Sequence, residues 1–224
     1  MSYSIKTKSY KIQHISNTNS YSLQILHCSN YDIYDSLILT NILSNAFFDF
    51  ETNNAESIIF TAEKICPLSV FLEKGLLTNK QAIKMIHDLS KQIAYLETKM
   101  HVFYGFNLDD ILVINDDTFI IASAKHLATM NAKDKCIYFY TPIEKPYFSS
   151  PELNELTKLP SKIDYRISYY SLGAFVFFCL TNIYIFAELK ELHQILDIIT
   201  YPKLYWFLKR CFHEKCEQRI LLFI

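Results

Sequence analysis

The segment Phe103–Lys125, FYGFNLDDILVINDDTFIIASAK, decides the fold. It contains two apolar runs, Ile111–Ile114 and Thr118–Ala122, separated by the polar triplet Asn115–Asp117. Asn and Asp tolerate the left-handed backbone conformation that tight hairpin turns require. The β-branched residues on both sides favour strands. The segment therefore predicts a β-hairpin.

The composition of the 224-residue chain favours a packed cytoplasmic protein. Half of its residues are apolar and its formal net charge is −1, so no excess of positive charge indicates a nucleic acid or an anionic membrane as a partner. The six cysteines form no Cys-x-x-Cys pair, and the first residues lack the apolar run of a signal peptide. We therefore expect reduced thiols, a cytoplasmic location and enough core for one domain or two lobes.

The first 62 residues predict a small sheet with one helix. Alternating apolar positions and polar turns indicate the strands, and a capping aspartate indicates the helix. The predicted elements are strands at Tyr10–Ile15 and Tyr21–Leu26, a helix at Asp32–Leu43, and strands at Phe47–Glu51 and Ser57–Thr61, with a turn at 52–55.

Helical patterns dominate after residue 62. Apolar residues recur every three or four positions after Asn79, which predicts a helix to about Met100. Further helices are predicted at 165–180, 188–199 and 203–213. Residues 124–149 show no strong periodicity, so we expect a long loop that is either a solvated connector or a regulatory segment. Tyr138, Tyr140 and Thr141 are its candidate phosphate acceptors.

The segment 167–187 contains no charged residue and reaches the length of a membrane span. Its hydroxyl and amide side chains, however, would need partners in lipid, and no basic cluster flanks it. A helix buried at the centre of a globular protein fits the same pattern. We therefore keep a membrane anchor at 167–187 only as a second alternative.

Three pieces of the sequence, in this order, resemble a eukaryotic-type protein kinase domain. Lys145–Glu152, KPYFSSPE, is similar to the end of an activation segment, with Ser150–Glu152 at the family's Ala-Pro-Glu motif. Tyr170–Gly173, YSLG, is similar to the Trp-Ser-Leu-Gly turn of the central helix. Arg210–Arg219 is similar to the family segment that closes with an arginine. The resemblance extends from about residue 57 to residue 219.

The resemblance implies an α+β, bilobal protein-kinase-like fold. A small β-rich N-lobe would occupy residues 1–62, and a mainly α-helical C-lobe, truncated at its C-terminal end, would occupy residues 63–224. It also implies an ion pair between Glu152 and Arg219. Arginine suits this role because its planar fork holds a carboxylate through two hydrogen bonds.

The groups that phosphoryl transfer requires are missing from the matching positions. Gly105 stands where the family has its aspartate base, and glycine cannot deprotonate a substrate hydroxyl. Asp110 replaces a metal-binding asparagine, and Ser123 replaces the metal-binding aspartate of Asp-Phe-Gly. Lys125 brings positive charge to the place where Mg²⁺ would bind. We therefore expect no catalytic residue at these positions.

The N-terminal region departs further from the family. No glycine precedes Gly75, so no glycine-rich loop is present to approach phosphates closely. No lysine or arginine occurs between Lys11 and Lys64, so the predicted strand 21–26 lacks the phosphate-binding lysine. Lys6, Lys8 or Lys11 would have to replace it.

Together these features predict a catalytically inactive pseudokinase that binds or allosterically regulates another protein, such as an active kinase or its substrate. No cofactor is expected. The remaining nucleotide-pocket candidates are Glu63, Ile65, Asp110 and Ser123, and Asp110 is also the candidate metal ligand. The alternative is a divergent Ser/Thr kinase with displaced catalytic groups, which would use ATP and Mg²⁺. The expected contact surfaces are the degenerate cleft, the segment 124–149 and the apolar end 221–224.

Overall fold

A computed structural model describes residues 4–26, 41, 51–54, 57–185 and 189–222. Within these residues the chain is a mixed α+β protein. Its strands are β1 (Ser4–Lys6), β2 (Tyr10–His14), β3 (Ser20–Ile25), β4 (Glu51–Asn54), β5 (Ser57–Thr61), β6 (Ile65–Pro67), β7 (His101–Phe103), β8 (Gly105–Phe106), β9 (Ile111–Ile114), β10 (Thr118–Ile121), β11 (Leu127–Thr129), β12 (Cys136–Phe139), β13 (Phe148–Ser149) and β14 (Ser161–Asp164). Its α-helices are α1 (Leu68–Leu72), α2 (Asn79–Thr98), α3 (Pro151–Asn154), α4 (Ile167–Thr181), α5 (Leu189–Leu196) and α6 (Pro202–Cys211). Two 3-10 turns span Leu108–Asp110 and Cys216–Gln218.

The N-terminal strands form one antiparallel sheet in the order β1-β2-β3-β5-β4. The predicted hairpin is confirmed, because β2 pairs with β3 in a register that joins Tyr10 to Ile25 and His14 to Tyr21. Alternate residues of both strands are buried, as a sheet with one covered face requires. Strand β1 was not predicted from the sequence.

Two N-terminal predictions lie largely outside the described residues. The predicted helix Asp32–Leu43 lies outside them except for Asn41, and the predicted strand Phe47–Glu51 lies outside them except for Glu51. The turn predicted at 52–55 is wrong, because strand β4 runs through Thr52 to Asn54 and pairs with β5 through a register shift. Main-chain pairing along the edge of the sheet therefore overrides the turn preference of these asparagines.

The β9–β10 hairpin forms as the sequence predicts, with Thr118 opposite Ile114 and Ile121 opposite Ile111. Asn115 and Asp116 in its turn have φ angles of 52° and 62°, in the left-handed region that Asn and Asp tolerate. Strand β6 adds a third strand to the hairpin on the β9 side.

Helix α2 holds the hairpin in place through side chains that bond to its main chain. The helix begins at a capping box formed by Thr78 and Gln81. Further along, the buried amide of Gln92 donates to the carbonyl of Phe119 at 3.0 Å and accepts from the amide of Ile121 at 2.9 Å. The main-chain hydrogen-bonding groups on the edge of β10 that faces the helix thereby find partners without another strand.

The apolar segment predicted at 167–187 forms the 15-residue helix α4, which ends where Asn182 adopts a left-handed conformation. Residues 167–179 are buried, and the helix contacts both α2 and α6. The hydroxyls of Ser171 and Thr181 donate to carbonyls one turn earlier in the helix. Within the described residues, no helix is long and apolar enough to cross a membrane.

The prediction that residues 124–149 form one long loop is wrong. Strands β11, β12 and β13 lie within this segment and pair with β7, β14 and β8 respectively. Each pairing is with a partner distant in sequence, which leaves no local periodicity to recognise. Ile137 and Phe148 are buried there, whereas Tyr140 and Tyr147 are 71% and 79% exposed. A purely solvated connector is therefore excluded.

Candidate functional site

Gly105 lies in β8 beneath residues 144–149, which we call the strap. A Cβ added to Gly105 would lie 2.1 Å from Cγ of Pro146 and 3.0 Å from the carbonyl oxygen of Phe148. Neither neighbour is the end of a flexible side chain, so no side chain fits at this position. The position predicted for a catalytic base therefore lacks both a side chain and the space for one.

The strap is anchored along its length. Phe148 and Ser149 pair with Phe106 and Gly105 in the two-stranded β13–β8 ladder. The amide of Tyr147 donates to Oδ1 of Asn107 at 2.9 Å. At the start of the strap, the Glu144 carboxylate accepts from Nζ of Lys125 at 2.6 Å.

Beneath the strap lies a group of four polar residues, which we call the polar cluster: the half-buried Asn107 and the buried Asp110, Ser123 and His126. The amide N–H of Asn107 donates to Oδ2 of Asp110 at 2.7 Å, and its side-chain nitrogen lies 2.9 Å from Nε2 of His126. Nε2 of His126 is also 3.9 Å from Oδ2 of Asp110. Asp110 is 6% exposed, and Ser123 and His126 are each 1% exposed.

Burial shifts the two titratable groups of the polar cluster in opposite directions. It raises the pKa of Asp110 to about 6, although hydrogen bonds from the Asn107 amide and the Ser123 hydroxyl oppose the shift. Burial also lowers the pKa of His126 to about 4, with a further contribution from the positive charge of Lys125. At neutral pH the cluster therefore holds an ionised Asp110 beside a neutral His126.

The oxygen of Ser123 is engaged within the cluster. It accepts from the backbone amide of Lys125 at 3.2 Å, and the hydroxyl lies close enough to Asp110 to lower the pKa of that carboxyl. Among the described residues, no group of three or more His, Cys, Asp or Glu side chains is arranged to hold a metal ion. Asp110 as a metal ligand stays a prediction.

The four nucleotide-pocket candidates fall into two pairs at opposite ends of β9. Ile65 pairs with Ile114 at the end of the strand, and the amide of Glu63 donates to the Asn115 side chain in the turn beyond it. Asp110 immediately precedes the strand and lies beside Ser123. Four residue steps, from Asp110 to Ile114, separate the pairs by about 13 Å along the strand.

Sequence reasoning missed four contributors to this site. Pro146 and Tyr147 lie about forty residues from Gly105 in sequence, so no local pattern joins them to it. Asn107 had a weak signal, because an Asn three residues before an acid is typical of a capped turn. His126 belongs to no metal-binding or catalytic spacing in the sequence, so nothing in the sequence signals its contact with Asn107.

The ion pair predicted between Glu152 and Arg219 is confirmed. Nη2 of Arg219 lies 2.6 Å from Oε1 of Glu152, and Nη1 lies 3.1 Å from Oε2. The Arg219 side chain is fully buried, its Nε donates to the carbonyl of His213, and its guanidinium carbon lies 5.0 Å from the Tyr170 ring centroid. The pair ties α3 to the C-terminal 3-10 turn.

No protein-family model matches the chain, and no curated protein matches it. The features of the molecule that bear on its function are therefore the polar cluster, the strap and the Glu152–Arg219 pair.

The opposite pKa shifts of Asp110 and His126 give opposite contributions to stability. With its pKa raised to about 6, folded Asp110 holds its proton more tightly than the unfolded chain does, so its contribution is full below pH 3.8 and is lost as the pH rises through 6. With its pKa lowered to about 4, His126 contributes fully above pH 6.5 and loses that contribution as the pH falls through 4. In the native protein the two contributions nearly cancel.

We therefore expect Asp110→Asn and His126→Gln to reveal opposite pH dependences. Between pH 4 and 6.5, the free energy of unfolding of Asp110→Asn should rise by about 2 kcal/mol relative to the native protein. That of His126→Gln should fall by about the same amount over the same range. Urea unfolding at five pH values measures both slopes. Parallel profiles for all three proteins would contradict the assigned shifts.

Proposed function

We propose that this chain is a bilobal, protein-kinase-like module without phosphotransfer activity, which acts by binding another protein. The observation that carries the proposal is the closure of Gly105 by Pro146. A loop that positions a catalytic base needs an acidic side chain with access to the substrate hydroxyl. Here both the side chain and the access are absent.

The order of elements supports the kinase-like part of the proposal. A five-stranded antiparallel sheet precedes a region in which helices dominate, and the hairpin β9–β10 follows the long helix α2. Glu152 and Arg219, at the positions where the sequence resembles the family, form an ion pair in which the arginine is fully buried. Each feature alone is common in α+β proteins, and their shared order is what favours this family.

The state of the polar cluster supports the loss of phosphotransfer. In the family the positions of Asp110 and Ser123 would hold Mg²⁺. In this chain a carboxylate oxygen of Asp110 accepts the Asn107 amide, the Ser123 oxygen is bonded internally, and the nearby Lys125 is paired with Glu144. The carboxylate, hydroxyl and ammonium groups that could bind a nucleotide–metal complex are therefore already engaged in contacts within the protein.

The outer face of the strap and the residues just before it supply the surface that we assign to the partner protein. Tyr140 and Tyr147 are the most exposed large hydrophobic residues among those that the structure describes, at 71% and 79%. Tyrosine is enriched among residues that dominate binding energy, because its ring adds contact area with few rotatable bonds. The anchors of the strap hold this surface in place before binding, which lowers the entropic cost of association.

Quantitative affinity capture tests the binding proposal. We expect a protein that co-purifies stoichiometrically with the native chain to bind Tyr147→Ser at least tenfold more weakly, whereas Tyr201→Ser should bind normally. Tyr201 is a matched control because it is a half-exposed tyrosine at the start of α6. Equal binding by Tyr147→Ser and the native protein would exclude the strap as the contact surface.

A nucleotide titration separates the module from the divergent-kinase alternative. An active kinase requires ATP and Mg²⁺ in its cleft. For the module, we expect no rise in melting temperature with millimolar ATP and Mg²⁺. A concentration-dependent rise that Asp110→Asn removes would favour the active enzyme.

A further inference from the structure

The strap and the polar cluster are connected through the side chain of Asn107. Its Oδ1 accepts from the Tyr147 amide at 2.9 Å, and its Nδ2 lies 2.9 Å from Nε2 of His126. A carboxamide has a fixed donor end and a fixed acceptor end. Because the Tyr147 amide is a donor, Oδ1 faces the strap, and Nδ2 therefore donates to Nε2 of His126. The bond to the strap thus requires an unprotonated Nε2.

This requirement fixes the tautomer of His126. The neutral ring carries its proton on Nδ1, and Nδ1 is buried with no hydrogen-bond partner among the described residues. A buried donor without a partner is unfavourable, so the tautomer persists because Asn107 occupies the other nitrogen. The ring edge rests against Tyr104, with 5.4 Å between the ring centroids.

We propose that His126, Asn107 and the Tyr147 amide form a proton-operated latch, in which a proton bound at Nε2 of His126 releases the Tyr147 amide from Asn107. The proton comes from solvent, and only hydrogen bonds change. A protonated Nε2 faces the Nδ2 donor of Asn107, and rotation of the carboxamide would place Nδ2 against the Tyr147 amide instead. Either orientation leaves two donors facing each other, so the connection to the strap breaks.

The charged groups around His126 set the pH at which the latch opens. Glu144 in the strap favours the proton, whereas burial and Lys125 oppose it. Asp110, with Oδ2 3.9 Å from Nε2, is the other titratable group that faces the ring. The Tyr104 ring packs against the imidazole with a T-shaped geometry. Asp110 takes up its own proton first, because its pKa is about 6, and His126 follows with a pKa of about 4. The latch is therefore closed at neutral pH and opens in acid.

The latch itself does not depend on the proposed function. Only its expected effect, a change in how Tyr147 is presented to a partner protein, rests on that proposal. Release frees the Tyr147 amide while the β13–β8 pairing of Phe148 and Ser149 remains. Opening therefore changes the strap locally and leaves the fold intact.

Hydrogen exchange of the Tyr147 amide, measured by NMR and corrected for the intrinsic rate at each pH, tests the latch without a partner. Between pH 6.5 and pH 4 we expect its protection to fall at least tenfold in the native protein. His126→Gln keeps an acceptor but does not titrate, so its protection should stay constant. Asn107→Ala should leave the amide unprotected at both pH values.

The Ile121 amide, bound to Gln92, reports on the fold in the same spectra. The pH is lowered only as far as Ile121 stays protected in all three proteins. Unchanged Tyr147 protection in the native protein, or an equal loss in His126→Gln, would overturn the latch. Because no partner is present, the latch can fail while the binding proposal stands, and a failure of partner capture leaves the exchange result unaffected.

Discussion

Gly105→Ala is expected to lower the free energy of unfolding by about 3 kcal/mol. The added Cβ would lie 2.1 Å from Cγ of Pro146 and 3.0 Å from the carbonyl of Phe148, so the strap has to move away from β8. Movement of the strap in turn weakens the Tyr147–Asn107 bond. Urea unfolding measures the loss, and exchange of the Tyr147 amide should show that the strap has shifted.

A double variant isolates the cause of this effect. Pro146→Gly removes the ring that a new Cβ would meet, so Gly105→Ala made in that background should cost less than about 1 kcal/mol. An equal cost in both backgrounds would show that the loss has another origin. The same logic applies to Gly105→Asp, which should destabilise the strap and fail to create phosphotransfer activity.

Glu152→Ala is expected to cost about 3–5 kcal/mol, because it leaves the guanidinium of Arg219 buried without its carboxylate. The two remaining polar contacts of Arg219, to the His213 carbonyl and the Cys216 sulfur, do not neutralise its charge. The Tyr170 ring beneath the guanidinium is a weaker substitute. Thermal and urea unfolding both report the change.

Glu155→Ala is the matched control, since Glu155 is an exposed glutamate beside the same short helix, and it should change stability by less than about 0.5 kcal/mol. The paired replacement of Glu152 by Leu and Arg219 by Met removes both charges, and we expect it to recover most of the loss. A single Glu152→Ala variant as stable as the native protein would contradict the buried pair.

Elements with a strong local signal could be predicted from the sequence. The β9–β10 hairpin followed from its turn residues, α2 from its apolar spacing, and α4 from its lack of charge. The Glu152–Arg219 pair followed from resemblance, because the two residues are far apart in sequence. In each case a single segment, or a known family pattern, carried enough information.

The strap and the polar cluster could not be predicted in the same way. Strands β11 to β13 are two to four residues long and pair with strands distant in sequence. Segments this short show no hydrophobic alternation from which a strand could be predicted. The space at Gly105 is closed by Pro146, and the bond that holds the strap to Asn107 comes from Tyr147. Both contacts join residues about forty positions apart, so neither leaves a local sequence pattern. The protonation state and tautomer of His126 likewise depend on burial and on the contact with Asn107, which the sequence does not show.

A phosphotransfer assay tests the central claim most directly. The purified chain is incubated with labelled ATP, Mg²⁺ or Mn²⁺, and a mixture of Ser-, Thr- and Tyr-containing peptides, beside Asp110→Asn as a matched control. We predict that both proteins transfer phosphate at the same background rate, because Gly105 provides no base and Ser123 no metal ligand. Turnover well above background in the native protein that Asp110→Asn abolishes would contradict the account.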